Sequence, residues 1–147
     1  MINFRIFFLL VCGVFLFSNT ALMAGDFVDN GDGTVTDNNT KLMWQQGENG
    51  DMNWEAALTC CENLELAEYD DWRLPNVKEL VSITEETIYN PAIDTRYFSG
   101  TYSTNYWSSS TDVSNTSYAW FLFSFSGYVS YHPKTVSYYV RCVRVGQ

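Results

Sequence analysis

Few side chains in this 147-residue chain are of the kinds that do chemistry. Its only histidine is His132, and its cysteines stand at positions 12, 60, 61 and 142. Cys60 and His132 form a formal nucleophile–base pair. Nothing beside Cys60 in the sequence would lower its thiol pKa, however, and a thiolate is what such a pair needs. No Gly-x-Ser-x-Gly, His-Glu-x-x-His or phosphate-loop spacing occurs. The expectation is a protein that is not an enzyme.

Oxygen ligands for a hard cation are offered by Asp29, Asn30, Asp32 and Asp37. Setting Asp32-Gly33 at positions 5 and 6 of a calcium loop puts Val28 at position 1 and Asn39 at position 12, so the register fails. The same residues are good turn formers through local side-chain to backbone bonds. The expectation is no cofactor, with calcium at Asp29, Asn30, Asp32 and Asp37 as the weaker reading.

Residues 97–120 carry a different signal. These 24 residues hold seven Ser, four Thr, two Asn, four Tyr and two Trp. Tyr supplies wide amphipathic contact area at low entropy cost, and Ser and Asn adapt their hydrogen bonds, as in antibody paratopes. Tyr rings also stack on sugar faces. The candidate ligand-binding residues are Tyr102, Asn105, Tyr106, Asp112, Asn115 and Tyr118, joined by Tyr128, Tyr131, His132 and Lys134 from the hairpin that follows. A polar loop with no ligand is the competing reading.

Charge limits the partner. The net charge is −9, so the chain lacks the cations that nucleic acid demands. Residues 25–95 hold 16 acids and 3 bases, whereas residues 96–147 hold one acid, Asp112, and four bases. Any anionic ligand would be met by the second half. The apolar content of 46% and aromatic content of 17% exclude a disordered chain.

These residues need elements to position them. Met1 to Ala24 reads as an export signal: Arg5, an apolar run over residues 6–17, then small residues, with cleavage after Ala24 or Ala21. An uncleaved anchor is the alternative; with cleavage, no membrane insertion follows, and the product is periplasmic, on the cell surface or extracellular. Residues 25–147 are expected to form one domain. Export makes a disulfide plausible. Trp54, Ala57, Leu58, Cys61 and Leu64 recur at helical spacing on one apolar stripe, with Cys60 on the other side. Cys61–Cys142 is therefore the preferred bridge and Cys60–Cys142 the alternative.

The spacing predicts a helix over 53–67, capped by Asp51 or Asn53. A second begins at Asn76, with Glu79 at capping-box distance. Short strands surround the turns of residues 27–44. Strands are also expected over 102–108, 118–125, 128–131 and 138–145. Apolar residues on both faces of 118–125 imply a central strand covered on both sides. Asp71, Trp72 and Arg73 are expected to fix the junction between the helices, with Arg73 on a carboxylate and Trp72 in the core. The class is α+β, two helices packed on a small antiparallel sheet.

The motifs in order are also familiar. Phe27-Val28-Asp29-Asn30-Gly31-Asp32-Gly33-Thr34-Val35-Thr36-Asp37 and Leu42-Met43-Trp44 open the domain. Cys61-Glu62-Asn63-Leu64 and Asp71-Trp72-Arg73-Leu74-Pro75-Asn76-Val77-Lys78-Glu79-Leu80 stand at its centre. Tyr106-Trp107-Ser108-Ser109-Ser110, Ala119-Trp120, Gly127 and Tyr139-Val140-Arg141-Cys142-Val143-Arg144 close it. Over residues 26–145 the chain resembles the Lcl C-terminal domain family, a bacterial family long filed as a domain of unknown function. The resemblance implies a C-type-lectin-like fold with paired terminal strands and an irregular loop region that displays variable side chains. The family includes the terminal domain of a collagen-like adhesin that binds sulfated polysaccharides; this chain has no collagen repeat and is acidic. Calcium-dependent lectins use Glu-Pro-Asn or Gln-Pro-Asp, which Leu74-Pro75-Asn76 does not match. Formylglycine-generating enzymes share the broad fold type but need two reactive cysteines, and one remains here after the bridge.

Composition and resemblance together predict a secreted, non-catalytic carbohydrate- or protein-binding module of adhesin type. Its partner would be a glycan or a surface protein. The alternatives are a structural subunit of a bacterial surface assembly, which could oligomerise, and, behind it, a distant relative of formylglycine-generating enzymes.

Overall fold

Turn residues cut the chain into short strands. In the computed structural model, which describes residues 26–146, Asp29 Oδ1 accepts from Gly31 N, and Asp32 Oδ1 accepts from both the N–H and the hydroxyl of Thr34. These bonds close the turn between β1 (Phe27–Asp29) and β2 (Thr34–Asp37). Asp37 closes the next turn, accepting from Asn39 N, Thr40 N and Thr40 Oγ1, and leads to β3 (Leu42–Gln45) and β4 (Asn49–Met52). The export signal expected over residues 1–24 lies outside the described residues.

Helix α1 (Trp54–Glu62) starts at Asn53, whose side chain accepts from Ala56 N. It stops earlier than the residue 67 that its apolar spacing predicts. Ala67 and Glu68 take left-handed φ of 54° and 66° in a tight reversal that bridges Leu66 to Tyr69, which no right-handed helix can include. Helix α2 (Val77–Ser82) has the expected capping box: Asn76 accepts from Lys78 N and Glu79 N, and Glu79 accepts from Asn76 N. The remaining strands are β5 (Asn105–Thr111), β6 (Tyr118–Phe123), β7 (Tyr128–Pro133), β8 (Tyr138–Val140) and β9 (Val143–Val145).

The protein is α+β, with two helices and two sheets rather than the one small sheet expected. The four-stranded sheet runs β1-β2-β3-β9 and the five-stranded sheet β4-β8-β5-β6-β7. All pairings are antiparallel except β5 with β8, which run parallel through Tyr106 and Tyr139. The terminal strands share the first sheet, but β9 pairs with β3 and not with β1. The segment 138–145, expected as one strand, breaks at Arg141-Cys142, so β8 serves one sheet and β9 the other. The strand expected at 102–108 starts later, at Asn105, because Tyr102 and Ser103 belong to the loop before it.

Two clusters of buried side chains hold this frame. One joins Phe27, Val35, Leu42, Trp44 and Val143 to Leu80, Ile83, Tyr106 and Leu122. The other joins Ala57, Cys61, Trp72, Leu74 and Cys142 to Trp107, Ala119 and Val140. Tyr106 and Leu122 face the first and Trp107 and Ala119 the second, so the five-stranded sheet has core on both sides. Cys61 and Cys142 form the preferred disulfide across a separation of 81 residues, and Cys60 is a half-buried thiol. No helix among the described residues is long and apolar enough to cross a membrane.

Candidate binding face

The face that leaves rings in solvent is on β5–β6–β7. Residues directly opposite each other in antiparallel strands share a face. Asn105 faces Phe123, and Phe123 faces Tyr128, making one row. Trp107, Phe121 and Ser130 make the next. Trp107 is buried under α1, but cover thins outward: Phe121 is half-buried, Phe123 is 37% exposed and Tyr128 65%. Phe125, beyond the end of β6, stacks on Phe123 with centroids 5.7 Å apart. β6 is therefore central, with Leu122 buried on one face and Ala119 on the other, and the cover on the second face ends before Phe123. Phe121 still packs on the second cluster, whereas Phe123 at the far end of the same face stands in solvent.

Tyr138 lies across the inner row. Its ring centroid is 4.6 Å from Trp107, 4.8 Å from Phe121 and 5.9 Å from His132. Its hydroxyl is 2.8 Å from His132 Nδ1, which leaves Nε2 of this exposed histidine pointing away from the pair. Burial pushes the Tyr138 hydroxyl pKa up, with a contact from the Asn105 amide acting the other way. The Gly127 turn (φ 72°) that brings β7 back beside β6 needs a left-handed residue, and Thr84 lies 3.5 Å from where a Cβ would stand.

The ten candidate residues do not form one surface. Asn105, Tyr128 and His132 share the open face. Tyr118 and Tyr131 lie on the reverse face with Trp120, Tyr131 meeting Trp120 edge-on at 5.4 Å and Tyr118 at 6.1 Å. Tyr131 is 49% exposed. Tyr102, 61% exposed, sits in the loop before β5 against Tyr139. Asn115 caps the β5–β6 turn by accepting from Ser117 N. The Lys134 ammonium is held 3.7 Å from the Trp54 ring centroid and donates to Thr111 Oγ1.

Two candidates are removed from any binding surface. Asp112 is buried and accepts from the N–H and hydroxyl of Ser114, so it shapes the turn. Tyr106 is fully buried. Its hydroxyl donates to Glu48 Oε2, and the fully buried Arg141 guanidinium lies 3.9 Å from that carboxylate. Arg141 donates to the Gln45 and Gln46 carbonyls and to Thr101 Oγ1. Burial pushes the pKa of Glu48 and of Tyr106 up and that of Arg141 down. The Tyr-rich composition concealed this, since Tyr106 in the sequence looks no different from Tyr102.

The residues missed by sequence reasoning are Phe121, Phe123, Ser130 and Tyr138 on the face, and Glu48 with Arg141 inside. The alternation of Phe121 and Phe123 was available as a signal, but alternation does not say which face stays wet. Nothing local marks Glu48 and Arg141, which meet across about 90 residues.

Asp71, Trp72 and Arg73 are spent within the fold. Arg144 donates to both Asp71 oxygens at 2.6 and 3.1 Å and packs on the Tyr69 ring. Arg73 makes two bonds of 2.7 Å to Glu79. Burial raises the Glu79 pKa, but the Arg73 guanidinium and the Asn76 N–H outweigh it and hold the carboxyl below its usual range. Asp29, Asp32 and Asp37 are taken up by turn bonds, and Gln46 donates to Asp29 Oδ2. Among the described residues no three His, Cys, Asp or Glu side chains converge as a metal site. Burial raises the Cys60 pKa, which keeps it a thiol, and His132 Nδ1 is engaged by Tyr138 rather than by sulfur.

The sequence model of the Lcl C-terminal domain family matches residues 33–144, from the turn before β2 into β9. The match takes in both helices, the disulfide and the ringed face, and the chain belongs to this family. A search of the curated proteins returns no match.

Proposed function

We propose that the protein is an exported, non-catalytic binding module of bacterial origin whose ligand is a glycan or a surface protein. One observation carries this reading. Phe123, Phe125 and Tyr128, all 37% exposed or more, gather on and beside the β6–β7 hairpin, held by a disulfide-linked frame. Large rings left in water on a rigid sheet are the ordinary mark of an interaction surface. The disulfide fits an oxidising compartment. The raised Cys60 pKa speaks against thiol catalysis and against a formylglycine-type mechanism. The family membership supports a C-type-lectin-like description of the two-sheet fold, and turn bonding at Asp29, Asp32 and Asp37 supports binding without calcium.

The test is an array of glycans, polysaccharides and extracellular surface proteins probed with the purified protein, in calcium and in chelator. A hit of either class that weakens on Phe123→Ala or Tyr128→Ala is the expected result. No hit of either class would overturn the reading.

A second reading, a structural subunit of a surface assembly, draws on the free edge of β7 beside those rings. A concentration-dependent oligomer by light scattering, broken by Tyr128→Ala, would favour it.

A further inference from the structure

We infer that the open face of β5–β6–β7 is a subsite for an uncharged pyranose polymer, with Phe123 and Tyr128 as stacking rings and His132, Ser130 and Asn105 as its polar rim. This rests on the binding-module reading and names the ligand class and the face. Three features carry it.

The first is the pairing of ring faces with fixed polar groups. A pyranose has apolar C–H faces and a rim of hydroxyls, so it needs flat aromatic surface flanked by donors and acceptors. Here Phe123 stands between Asn105 and Tyr128 in one row, and Phe121 lies beside Ser130 in the next. Phe123 and Tyr128 stand directly opposite each other on β6 and β7, close enough for one pyranose ring to span both.

The second is the Tyr138–His132 contact. It fixes the imidazole through Nδ1 and presents Nε2 outward as a hydrogen-bonding group of set direction. Pre-set polar groups bind hydroxyls without paying further ordering entropy.

The third is charge. Residues 113–147 contain no carboxylate, and their three cations are all engaged: Lys134 on Trp54 and Thr111, Arg141 inside the core, Arg144 on Asp71. The face thus offers no unspent lysine or arginine for a sulfate or carboxylate, and the chain as a whole, at net −9, repels polyanions. An uncharged ligand is the one that matches an uncharged face.

The experiment is affinity electrophoresis of the purified protein through native gels. The gels are cast with barley β-glucan, xyloglucan, galactomannan or soluble starch, and with dextran sulfate as the anionic probe. Retardation by at least one neutral polymer is expected, unchanged between low and high salt because no exposed ion pair is involved. Phe123→Ala and Tyr128→Ala should each weaken it about tenfold. Tyr138→Phe keeps the ring and removes the hydroxyl that sets His132, and should weaken it less. Tyr131→Ala, on the reverse face, should leave it unchanged and shows that a surface ring can be lost without loss of folding.

Retardation by dextran sulfate alone overturns the inference while leaving the binding-module reading in place with another ligand. So does neutral binding that survives Phe123→Ala and Tyr128→Ala but fails on Tyr131→Ala. Retardation in none of the gels also overturns it, and the surface-protein arm of the array then decides the broader reading separately.

Discussion

The disulfide is the strongest single handle on stability. Cys61 lies in α1 and Cys142 between β8 and β9, both fully buried, at a sequence separation of 81. Replacing both with Ala opens a loop of that length in the unfolded chain. In the chain-entropy model the lost constraint is worth about 4.5 kcal/mol at 25 °C. That is a large part of the roughly 5–15 kcal/mol that keeps ordinary domains folded. The assay is urea unfolding followed by tryptophan fluorescence, since Trp44 and Trp107 are fully buried and should redden on exposure. The double variant should unfold at much lower urea. Its slope against denaturant should be steeper, because its unfolded state is more expanded. A loss below about 2 kcal/mol with an unchanged slope would refute the entropic argument. Alkylation of the unfolded, unreduced protein should label Cys60 and spare Cys61 and Cys142; the opposite labelling of Cys60 and Cys61 would refute the bridge itself.

Other expectations concern single side chains. Leu80→Ala removes a fully buried side chain from between α2 and the sheets, and should cost about 2–5 kcal/mol by thermal or urea unfolding. Asn76→Ala strips α2 of two capping bonds and should cost about 1 kcal/mol in the same assay. The Glu48 pKa is raised by burial, so its contribution is greatest below the carboxylate's unfolded pKa and is lost as pH rises through the folded value. The stability of the wild type relative to Glu48→Gln should therefore fall as pH rises above the usual glutamate value of about 4.3, read by melting temperature at each pH. Glu79 runs the other way: its pKa is depressed, so the wild type should lose stability relative to Glu79→Gln as pH falls below the unfolded value.

Local signals were readable where the physics is local. The Asn76–Glu79 capping box, the Asn53 cap and the choice of Cys61 over Cys60 all follow from spacing within one or two helical turns, and the structure has each of them. What depends on distant partners was not readable. The continuous pattern of residues 138–145 hides the break at Arg141-Cys142, because both halves are strand-like and only the presence of two sheets separates them. Tyr106 and Tyr102 carry equal weight in a composition count, yet one lies beside Glu48 and Arg141 in the core and the other in solvent. The open face was half visible: Asn105, Tyr128 and His132 were marked by residue type, whereas Phe123 was assigned to a covered side whose cover ends at Phe121.

The break at Arg141-Cys142 also dictates when folding can happen. Residues 138–145 supply an inner strand of one sheet, an edge of the other, half of the disulfide, and two arginines tied to residues far back in the chain. A chain that emerges N-terminus first holds neither sheet complete until this segment arrives. Its two helices and early hairpins have no finished core to settle on before then. Folding is thus deferred until this segment has emerged and closes on contacts spanning about 100 residues, the slow kind. A product cut short before β8 lacks both closures at once, so it has no partly stable remnant to fall back on and is open to proteolysis.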